Sequence, residues 1–338
     1  MKILIIGGTR FLGYHITKGL MERGHEITLF NRGKTPDDFG DRVQRIRGNR
    51  YDYENFYKTL KEEKFDAVVD TISFKAQDSQ SAVRTFLGNV GHYLHISTAA
   101  VYVVIKNYPC PLKEEDFEGE LYPQPRGGDG LWSYGYHKRQ CEEVLRKAWQ
   151  KHQFPVTMFR FPIIIGERDY TLRAYSYFLR ILDGRPLILP DGGLNIFTHL
   201  YQGDIVRTIC SNLQNPTSWG NSYNLAQEEY LTLRLFVLKA AEILNKKVEL
   251  VDIPSGILER SGLGLSFSPF SMRRPFVLDV QKAKGDLGFS STPYSHWMAK
   301  TVHWFVEEYK GDPPENYQLR EKEQEFAGRY QKAVASII

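Results

Sequence analysis

The first half of the chain alternates short apolar runs with longer segments whose apolar residues recur at helical spacing. Strands separated by helices in this way are typical of repeated βαβ units, which build a parallel sheet covered by helices. We therefore predict an α/β fold of the Rossmann type, a doubly wound parallel sheet that binds ligands at the carboxyl ends of its strands. The predicted strands are residues 3–6, 27–30, 43–46, 67–69, 93–96 and 156–161, and the predicted helices include 11–23, 55–63 and 133–151.

The alternation fades after Gly166, where aromatic-rich and turn-rich segments follow. We predict a dinucleotide-binding domain over residues 1–165 with a return segment near 195–225. A smaller, interleaved substrate-binding domain should cover 166–310, and a helical extension should cover 311–338. Residues 109–130 are rich in Pro, Gly and acids, which predicts a long loop of the kind that serves as a lid or binding loop.

Composition narrows the class of protein. A length of 338 residues, with 42% apolar and 25% charged residues, is that of an ordinary globular chain of about two domains. The net charge of +4 arises from 44 basic and 40 acidic residues, a balance that argues against a nucleic-acid or membrane surface. Three widely separated cysteines (Cys110, Cys141 and Cys210) indicate neither disulfides nor zinc, so we expect a protein of the reducing cytoplasm without metal. The opening "MKILIIGG" has one basic residue and a short apolar run, and no window approaches 18 consecutive apolar residues, so we expect no signal peptide and no membrane span.

The first predicted strand runs directly into "GGTRFLG" at residues 7–13 and then into a helix. In a dinucleotide phosphate loop, Gly7 can make the tight turn, the helix amides can hold the pyrophosphate, and Gly13 can let the helix pack closely. Arg10 replaces the middle glycine of the motif. Its guanidinium either lies in solvent at the rim or contacts a phosphate, whose oxygens match the guanidinium fork.

The second predicted strand ends at Asn31 and Arg32, where an NAD enzyme carries an acid that accepts hydrogen bonds from the adenosine ribose. With no carboxylate to repel a 2′-phosphate and an arginine beside the position, NADP is favoured over NAD. Both residues could equally be solvated turn residues.

Four tyrosines have a lysine four positions later, the spacing that places two side chains on one face of a helix. The pairs are Tyr14/Lys18, Tyr57/Lys61, Tyr102/Lys106 and Tyr134/Lys138. Tyr14 and Tyr57 lie in other predicted helices, and Tyr102 lies in "VYVVI", which is typical of extended chain. Only Tyr134 begins a helix directly after a predicted binding loop, and it follows a strand that ends in Ser97 and Thr98.

Taken in order, "GGTRFLG", "FDAVVDTISF", "HISTAAVY", "YGYHK", "FRFPIIIG", "HLYQGDIVRTI", "SYNLAQ" and "VLDVQKAKGDLGF" resemble the extended short-chain dehydrogenase/reductases, the NAD(P)-dependent sugar epimerase and dehydratase family. The resemblance implies that Tyr134 is the general acid/base on a substrate oxygen and that Thr98 hydrogen-bonds the same oxygen. It implies that Lys138 binds the nicotinamide ribose and lowers the pKa of the tyrosine. Tyr136, the rival tyrosine, has Gln140 at the fourth position and lacks this help.

The resemblance also places Phe161 and Pro162 near the nicotinamide, Asn49 at the adenine and Ser73 beside the phosphates, and it leaves the role of Asp70 open. The predicted substrate-binding residues are Thr98, Tyr134, His199 and Arg274. The predicted cofactor-binding residues are Gly7, Thr9, Arg10, Phe11, Leu12, Gly13, Asn31, Arg32, Asn49, Ser73, Lys138, Phe161 and Pro162.

Two departures from the family pattern narrow the chemistry. The sugar-nucleotide 4,6-dehydratases carry Asp and Glu after the active threonine, whereas Thr98 is followed by Ala99 and Ala100, which leaves epimerisation or keto reduction. The arginine that clamps a sugar diphosphate in many relatives aligns with Phe197, although Arg273 and Arg274 could supply a clamp instead.

We therefore predict an NAD(P)-dependent epimerase or keto-reductase acting on a sugar, a nucleotide sugar being expected, in a possible homodimer through the helix at 133–151. The alternative is a cofactor-regulated RNA- or nucleotide-binding protein, because Arg10 and "NRG" resemble the branch that includes the chloroplast stem-loop RNA-binding proteins. A shared fold does not fix function.

Overall fold

The computed structural model describes residues 1–126, 129–272 and 274–337. The strands are β1 (Lys2–Ile6), β2 (Glu26–Asn31), β3 (Gln44–Arg47), β4 (Phe65–Asp70), β5 (Val90–Ile96), β6 (Val156–Arg160), β7 (Ile163–Ile165), β8 (Leu187–Pro190), β9 (His199–Tyr201), β10 (Ser222–Asn224) and β11 (Leu250–Ile253). The helices are α1 (Phe11–Met21), α2 (Tyr53–Leu60), α3 (Ala76–Phe86), α4 (Gly130–His152), α5 (Arg173–Leu182), α6 (Gln202–Ser211), α7 (Leu233–Ile243), α8 (Ser255–Arg260), α9 (Gln281–Leu287), α10 (Tyr294–His303) and α11 (Arg320–Ala335).

The chain divides into two compact units, and each is interrupted in sequence. The first unit comprises residues 1–164, 199–228 and 278–291, and the second comprises 165–198, 229–277 and 292–338. The sequence predicts neither the return of 278–291 to the first unit nor the membership of 311–338 in the second. The return has a physical reason, because the Asp279 N–H donates to the Leu112 carbonyl over 2.7 Å and the Tyr223 hydroxyl donates to Asp286 on α9 over 3.0 Å.

The first unit is built on a seven-stranded sheet in the order β10-β6-β5-β4-β1-β2-β3, in which every pairing is parallel. Ile3 of β1 pairs with Ile27 on one side and with Ala67 on the other. The chain winds outward in one direction through β2 and β3 and in the opposite direction through β4, β5 and β6. Ligands of such sheets bind where the winding reverses, which is at the carboxyl ends of β1 and β4.

The core of this unit explains why the apolar runs predict its strands. Leu4, Phe30, Val68 and Met158 are all fully buried in one cluster that includes helix residues such as Leu145. A parallel sheet is covered on both faces, so its strands consist of nearly continuous apolar residues. All six predicted strands are present, with bounds that move by a few residues. The α/β Rossmann-type fold is confirmed.

Two local predictions need correction. Ala99–Tyr102 forms a 3-10 helix and not an extended segment, because the Thr98 hydroxyl caps it by accepting the Ala100 N–H over 3.2 Å. The predicted loop at 109–130 contains a 3-10 helix, Glu114–Glu118, and two isolated bridges, one from Leu112 to Leu278 and one from Leu121 to Ile105. Residues 127 and 128 of that loop lie outside the described residues.

The second unit contains the parallel pair β8 and β11 and the helices α5, α7, α8, α10 and α11. One buried and one partly buried ion pair connect the last helix to the rest of this unit. Arg180 on α5 donates to Glu323 on α11 over 2.5 Å, and Arg320 donates to Asp183 over 2.7 Å. The C-terminal segment therefore packs within the second unit.

Candidate active site

The loop between β1 and α1 has the geometry of a phosphate loop. Gly7 has φ +104°, a backbone conformation that favours glycine. A Cβ on Gly13 would come within 3.0 Å of the Gly8 nitrogen, so the helix can approach the loop this closely only with glycine there. The first amides of a helix lack intrahelical partners and bind anions. The loop therefore fits the pyrophosphate of a dinucleotide, with Thr9 half-buried, Arg10 exposed, and Phe11 and Leu12 packed inward.

Lys138 joins helix α4 to the carboxyl ends of two neighbouring strands. Its Nζ donates to the Ser73 carbonyl after β4 over 2.8 Å and to the Ile96 carbonyl at the end of β5 over 2.5 Å. The side chain is only 2% exposed, and this burial lowers the pKa of the ammonium from its ordinary value. The two carbonyls fix the amine at the sheet edge where a nicotinamide ribose is expected.

Tyr134 lies one helical turn before Lys138 on α4, and its side chain is 38% exposed. The helix begins at Gly130, where the Asp129 carboxylate caps it by accepting the N–H groups of Leu131 and Trp132. The pair therefore lies within regular helix, as its spacing predicts.

Gly135 brings this part of the helix against the end of β5. A Cβ on Gly135 would lie 2.2 Å from the Ala100 carbonyl oxygen, a distance that no real side chain tolerates. Glycine is therefore required for α4 to pass this close to the turn that starts at Thr98. The close approach places the helix carrying Tyr134 beside Thr98.

Thr98 continues β5 beyond Ile96. Its hydroxyl accepts the Ala100 N–H, and the Ala99 N–H donates to the Phe161 carbonyl over 2.7 Å. The Thr98 hydroxyl also lies 3.5 Å from the Phe161 carbonyl, to which it donates weakly. Thr98 thus stands at the carboxyl edge with its side chain half-buried.

A buried ionic network below this edge was missed by sequence reasoning. Glu142 accepts hydrogen bonds from Ser97 over 2.5 Å and from the Arg160 Nη2 over 2.6 Å. Burial opposes ionisation of Glu142, but Arg160 and the hydrogen bonds hold its pKa below the ordinary value. Glu142 follows Lys138 by four residues, and both are buried on the inward face of α4, so an acid at this spacing was the available signal. The network fixes Ser97, the neighbour of Thr98, to the helix that carries Tyr134.

The other tyrosines have structural roles. The Tyr14 hydroxyl donates to Asp38 over 2.8 Å, and the Arg84 guanidinium covers the Tyr57 ring at 4.0 Å. Tyr102 is fully buried, and its hydroxyl donates to Asn224 over 2.8 Å. The rival Tyr136 stacks on Trp132 with ring centroids 4.9 Å apart. Among these tyrosines, Tyr134 therefore remains the candidate general acid/base.

At the predicted adenosine-binding end of the site, the Asn31 side chain is engaged in hydrogen bonds within the protein. Its Nδ2 donates to the Gly7 carbonyl over 3.2 Å, and its Oδ1 accepts the Gly33 N–H over 2.9 Å and the Arg47 Nη1 over 2.6 Å. Arg32 is exposed. Asn49 is exposed as well, and its Oδ1 accepts the Tyr51 N–H over 3.3 Å. Sequence reasoning missed Arg47, because nothing in the sequence shows that the third strand ends beside the second.

Phe74 is a further residue that the sequence did not indicate. Its side chain is 39% exposed, its ring centroid lies 6.4 Å from that of Tyr134, and the Lys138 Nζ lies 5.5 Å from it. The Asp78 carboxylate fixes the segment by accepting the N–H groups of Phe74 over 2.7 Å and Lys75 over 2.9 Å.

Several predicted residues are placed differently from the expectation. The Ser73 hydroxyl is fully buried and contacts Ser79 at 3.2 Å, so Ser73 reaches the site through its backbone carbonyl. Phe161 is 1% exposed and stacks on Phe159, while Pro162 is half-buried. His199 is 1% exposed within β9, which gives its side chain no surface for a substrate.

In the second unit, Phe197 is fully buried against Phe270 and cannot occupy a substrate clamp. Arg274 is exposed in the same unit, and Arg273 lies outside the described residues. Asp70, whose role the sequence left open, is fully buried and accepts hydrogen bonds from Tyr93 over 2.7 Å and Arg50 over 3.3 Å. This pairing gives Asp70 a structural role.

Among the described residues, no group of three or more His, Cys, Asp or Glu could hold a metal ion. Across the same part of the chain, no helix has the length and apolar character needed to cross a membrane.

The family model described as "NAD dependent epimerase/dehydratase family" matches residues 3–226, more than half of the chain. The chain belongs to this family. The prediction of an NAD-dependent enzyme of the epimerase/dehydratase family is confirmed, as is the resemblance to the extended short-chain dehydrogenase/reductases.

Relatives of this family member differ in function. The "Chloroplast stem-loop binding protein of 41 kDa b, chloroplastic" of Arabidopsis thaliana is 29% identical over 68% of this chain, and the alignment spans only 60% of that protein. An N-acetyl-alpha-D-glucosaminyl-diphospho-ditrans,octacis-undecaprenol 4-epimerase of Escherichia coli O157:H7 is 25% identical over 75% of each chain. Among solved structures, a UDP-glucose 4-epimerase from Thermotoga maritima with UDP-glucose superposes with a TM-score of 0.71 at 17% identity, covering 91% of this chain and 99% of that one. At this identity the superposition shows the fold alone.

Proposed function

We propose that this protein is an NAD(P)-dependent epimerase or keto-reductase that acts on a carbon of a sugar, with a nucleotide sugar as the expected substrate class. The observation that carries the proposal is the arrangement at the carboxyl edge of one sheet. A phosphate loop, a buried lysine held by two strand-end carbonyls, a tyrosine one turn before it and a threonine at the end of β5 belong to one compact unit.

Each residue of the candidate site has a chemical role that follows from its position. The nicotinamide, when bound, supplies hydride transfer. Tyr134 holds or takes the proton of a substrate oxygen, and Thr98 orients that oxygen by a hydrogen bond. A free phenol has a pKa of ~10, so forming the phenolate near neutral pH requires a stabilisation of about 4 kcal/mol. The Lys138 ammonium supplies part of this by favouring the phenolate.

The residues after Thr98 support epimerisation or reduction over a 4,6-dehydratase. Ala99 is 2% exposed and Ala100 is 9% exposed, and neither offers an acid or a base for the removal of water. The names of the relatives agree with sugar chemistry, since they include a 4-epimerase and a 2'-dehydrokanamycin reductase of Streptomyces kanamyceticus that is 22% identical.

The first experiment identifies the ligand. Native mass spectrometry of the purified protein should show bound NAD together with a nucleotide sugar if the protein is an epimerase, because the cofactor then stays bound throughout the cycle. A protein that purifies empty and takes up NADPH would support a reductase.

The second experiment tests Tyr134 against a matched control. Tyr134→Phe should lower turnover of the identified sugar by about 10²–10⁴-fold, since one general acid/base contributes that much. Tyr136→Phe should retain turnover, because the Tyr136 ring stacks on Trp132. Both variants should bind cofactor like the wild type. Full turnover in Tyr134→Phe would overturn the proposed mechanism.

A second candidate function is RNA binding, which the similarity to the chloroplast stem-loop binding protein favours. Filter binding of stem-loop RNA over a salt series distinguishes the two, because phosphate-mediated binding weakens steeply with salt. The near-balanced charge of the chain supports the enzyme.

Three finer expectations belong to the same proposal. NADP is favoured over NAD, because no acid stands at the end of β2. A reducing, cytoplasmic location agrees with three cysteines that are all free. A homodimer is testable by sedimentation.

A further inference from the structure

The Arg47 guanidinium lies at the end of β3, against the turn that follows β2. Its Nη1 donates to the Asn31 Oδ1 over 2.6 Å, while the same amide group donates through Nδ2 to the Gly7 carbonyl over 3.2 Å. One asparagine thus connects Arg47 to the phosphate loop. The arginine is exposed, but its head is held at a defined place beside the loop.

Gly33 makes room for this guanidinium. The residue has φ +70°, and a Cβ on it would come within 2.6 Å of the Arg47 Nη1 and 2.7 Å of its Cζ. Any larger residue at this position would displace the arginine head. The lack of a side chain at Gly33 therefore leaves the space that the Arg47 head occupies.

The end of the second strand is important for cofactor recognition in a dinucleotide site. The side chain at the end of the second strand is where such folds recognise the 2′ position of the adenosine ribose, with an acid for a hydroxyl or a nearby arginine for a phosphate. Asn31 occupies that position, and the Arg47 head is within hydrogen-bonding distance of it. A guanidinium there can bind a phosphate through two parallel hydrogen bonds.

The surrounding charges leave Arg47 suited to an anion. The nearby carboxylate, Asp37, is bound by both Nη atoms of Arg45 over 2.9 and 2.7 Å, and this hydrogen bonding lowers the pKa of Asp37. Arg47 acts on Asp37 through its charge alone, and its hydrogen bond goes to the neutral amide of Asn31. Arg32 is exposed, and within the described residues its side chain makes no hydrogen bond, so it is not held in place in the same way.

We propose that Arg47, held by Asn31 over Gly33, binds the 2′-phosphate of NADP(H) and is the main determinant of cofactor choice, ahead of Arg32. The inference rests on the proposed function, because it requires a dinucleotide in the phosphate loop. It differs from the sequence-based expectation, which gave this role to Asn31 and Arg32.

The test is direct binding, measured by fluorescence titration of NADPH and NADH against the full-length protein. The variants are Arg47→Ala, Arg32→Ala and, as a matched control, Arg146→Ala, a half-buried arginine on α4 that pairs with Glu118. Arg47→Ala should weaken NADPH binding at least tenfold and leave NADH binding within twofold. Arg32→Ala should have a smaller effect on NADPH, and Arg146→Ala should have none.

NADH serves as the internal reference, because it differs from NADPH only in the 2′-phosphate. Equal losses for the two cofactors would show that Arg47 only shapes the turn, and a larger effect of Arg32→Ala would assign the role to Arg32. Unchanged NADPH binding in Arg47→Ala would overturn the inference while leaving the proposed function intact. A wild-type protein that binds neither cofactor would overturn the proposed function and this inference with it.

Discussion

Replacing Gly135 by alanine should separate stability from activity in this protein. The added Cβ would meet the Ala100 carbonyl oxygen at 2.2 Å, and because the obstacle is backbone, no side-chain rotation can relieve the contact. A normal carbon contact needs ~3.5 Å, so α4 or the turn after β5 must retreat by roughly 1 Å. That displacement separates the helix carrying Tyr134 and Lys138 from Thr98.

Two opposing effects set the magnitude. Overpacking of this kind costs about 1–3 kcal/mol, whereas alanine favours the helix over glycine by about 1 kcal/mol. The net loss in free energy of unfolding should therefore be only about 0–2 kcal/mol. A misplacement of about 1 Å at reacting groups can cost about 10²-fold in rate. A 10²-fold loss in rate corresponds to about 2.7 kcal/mol, which exceeds the expected loss in free energy of unfolding.

Gly328→Ala provides the matched control, because Gly328 lies within helix α11 and a Cβ there would meet nothing within 4 Å. This variant should gain up to about 1 kcal/mol from helix propensity alone. Urea titration gives the free energies of unfolding, and turnover of the identified sugar gives the rates. If Gly135→Ala matched Gly328→Ala in stability and kept full turnover, the close contact between α4 and Ala100 would not position the site, and the reasoning would be refuted.

Three other predictions concern buried polar groups of the first unit. Glu142→Gln leaves Arg160 buried without its ionic partner and should lower the free energy of unfolding by about 3–5 kcal/mol in urea titrations. The double variant Glu142→Gln/Arg160→Met should lose less than the two single variants added together. Strict additivity would contradict an energetic coupling between Glu142 and Arg160. His92 accepts the Gln214 N–H at Nδ1, and burial lowers its pKa from 6.5 to about 4. The unfolded state therefore takes up this proton first, so up to about 3 kcal/mol of stability should disappear as the pH falls from 6.5 through 4, and His92→Asn should flatten that slope. Asp78→Ala removes the carboxylate that holds the segment after β4 and should cost about 1.5–3 kcal/mol, with faster amide exchange there than in wild type; unchanged exchange would exclude this anchoring role.

Much of the first unit could be predicted from local pattern. Strands buried on both faces must be apolar along their whole length, which is why the runs around Ile5, Val68 and Met158 predict the sheet. The phosphate loop is equally local, because glycine tolerates the positive φ of Gly7 and the close approach at Gly13. Tyr134 and Lys138 follow from helical spacing, because a predicted binding loop directly precedes their helix.

Other features have no local signal. Tyr102 lies in a run rich in β-branched residues, and its turn forms because Thr98 caps it and Arg160 and Asn224 satisfy its buried hydroxyl. His199 is polar in sequence but buried in the fold. In each case a partner from elsewhere in the chain overrides the propensity of the segment.

The sequence by itself determined the class of fold, the phosphate loop and the identity of the candidate acid/base, because each depends on residues close together along the chain. The tertiary structure decided how these parts are held. Lys138 meets the carbonyls of Ser73 and Ile96, and Arg47 meets Asn31, only because parallel strands distant in sequence end at one sheet edge. Contacts of that kind depend on strand order and helix approach, which no local pattern of residues specifies.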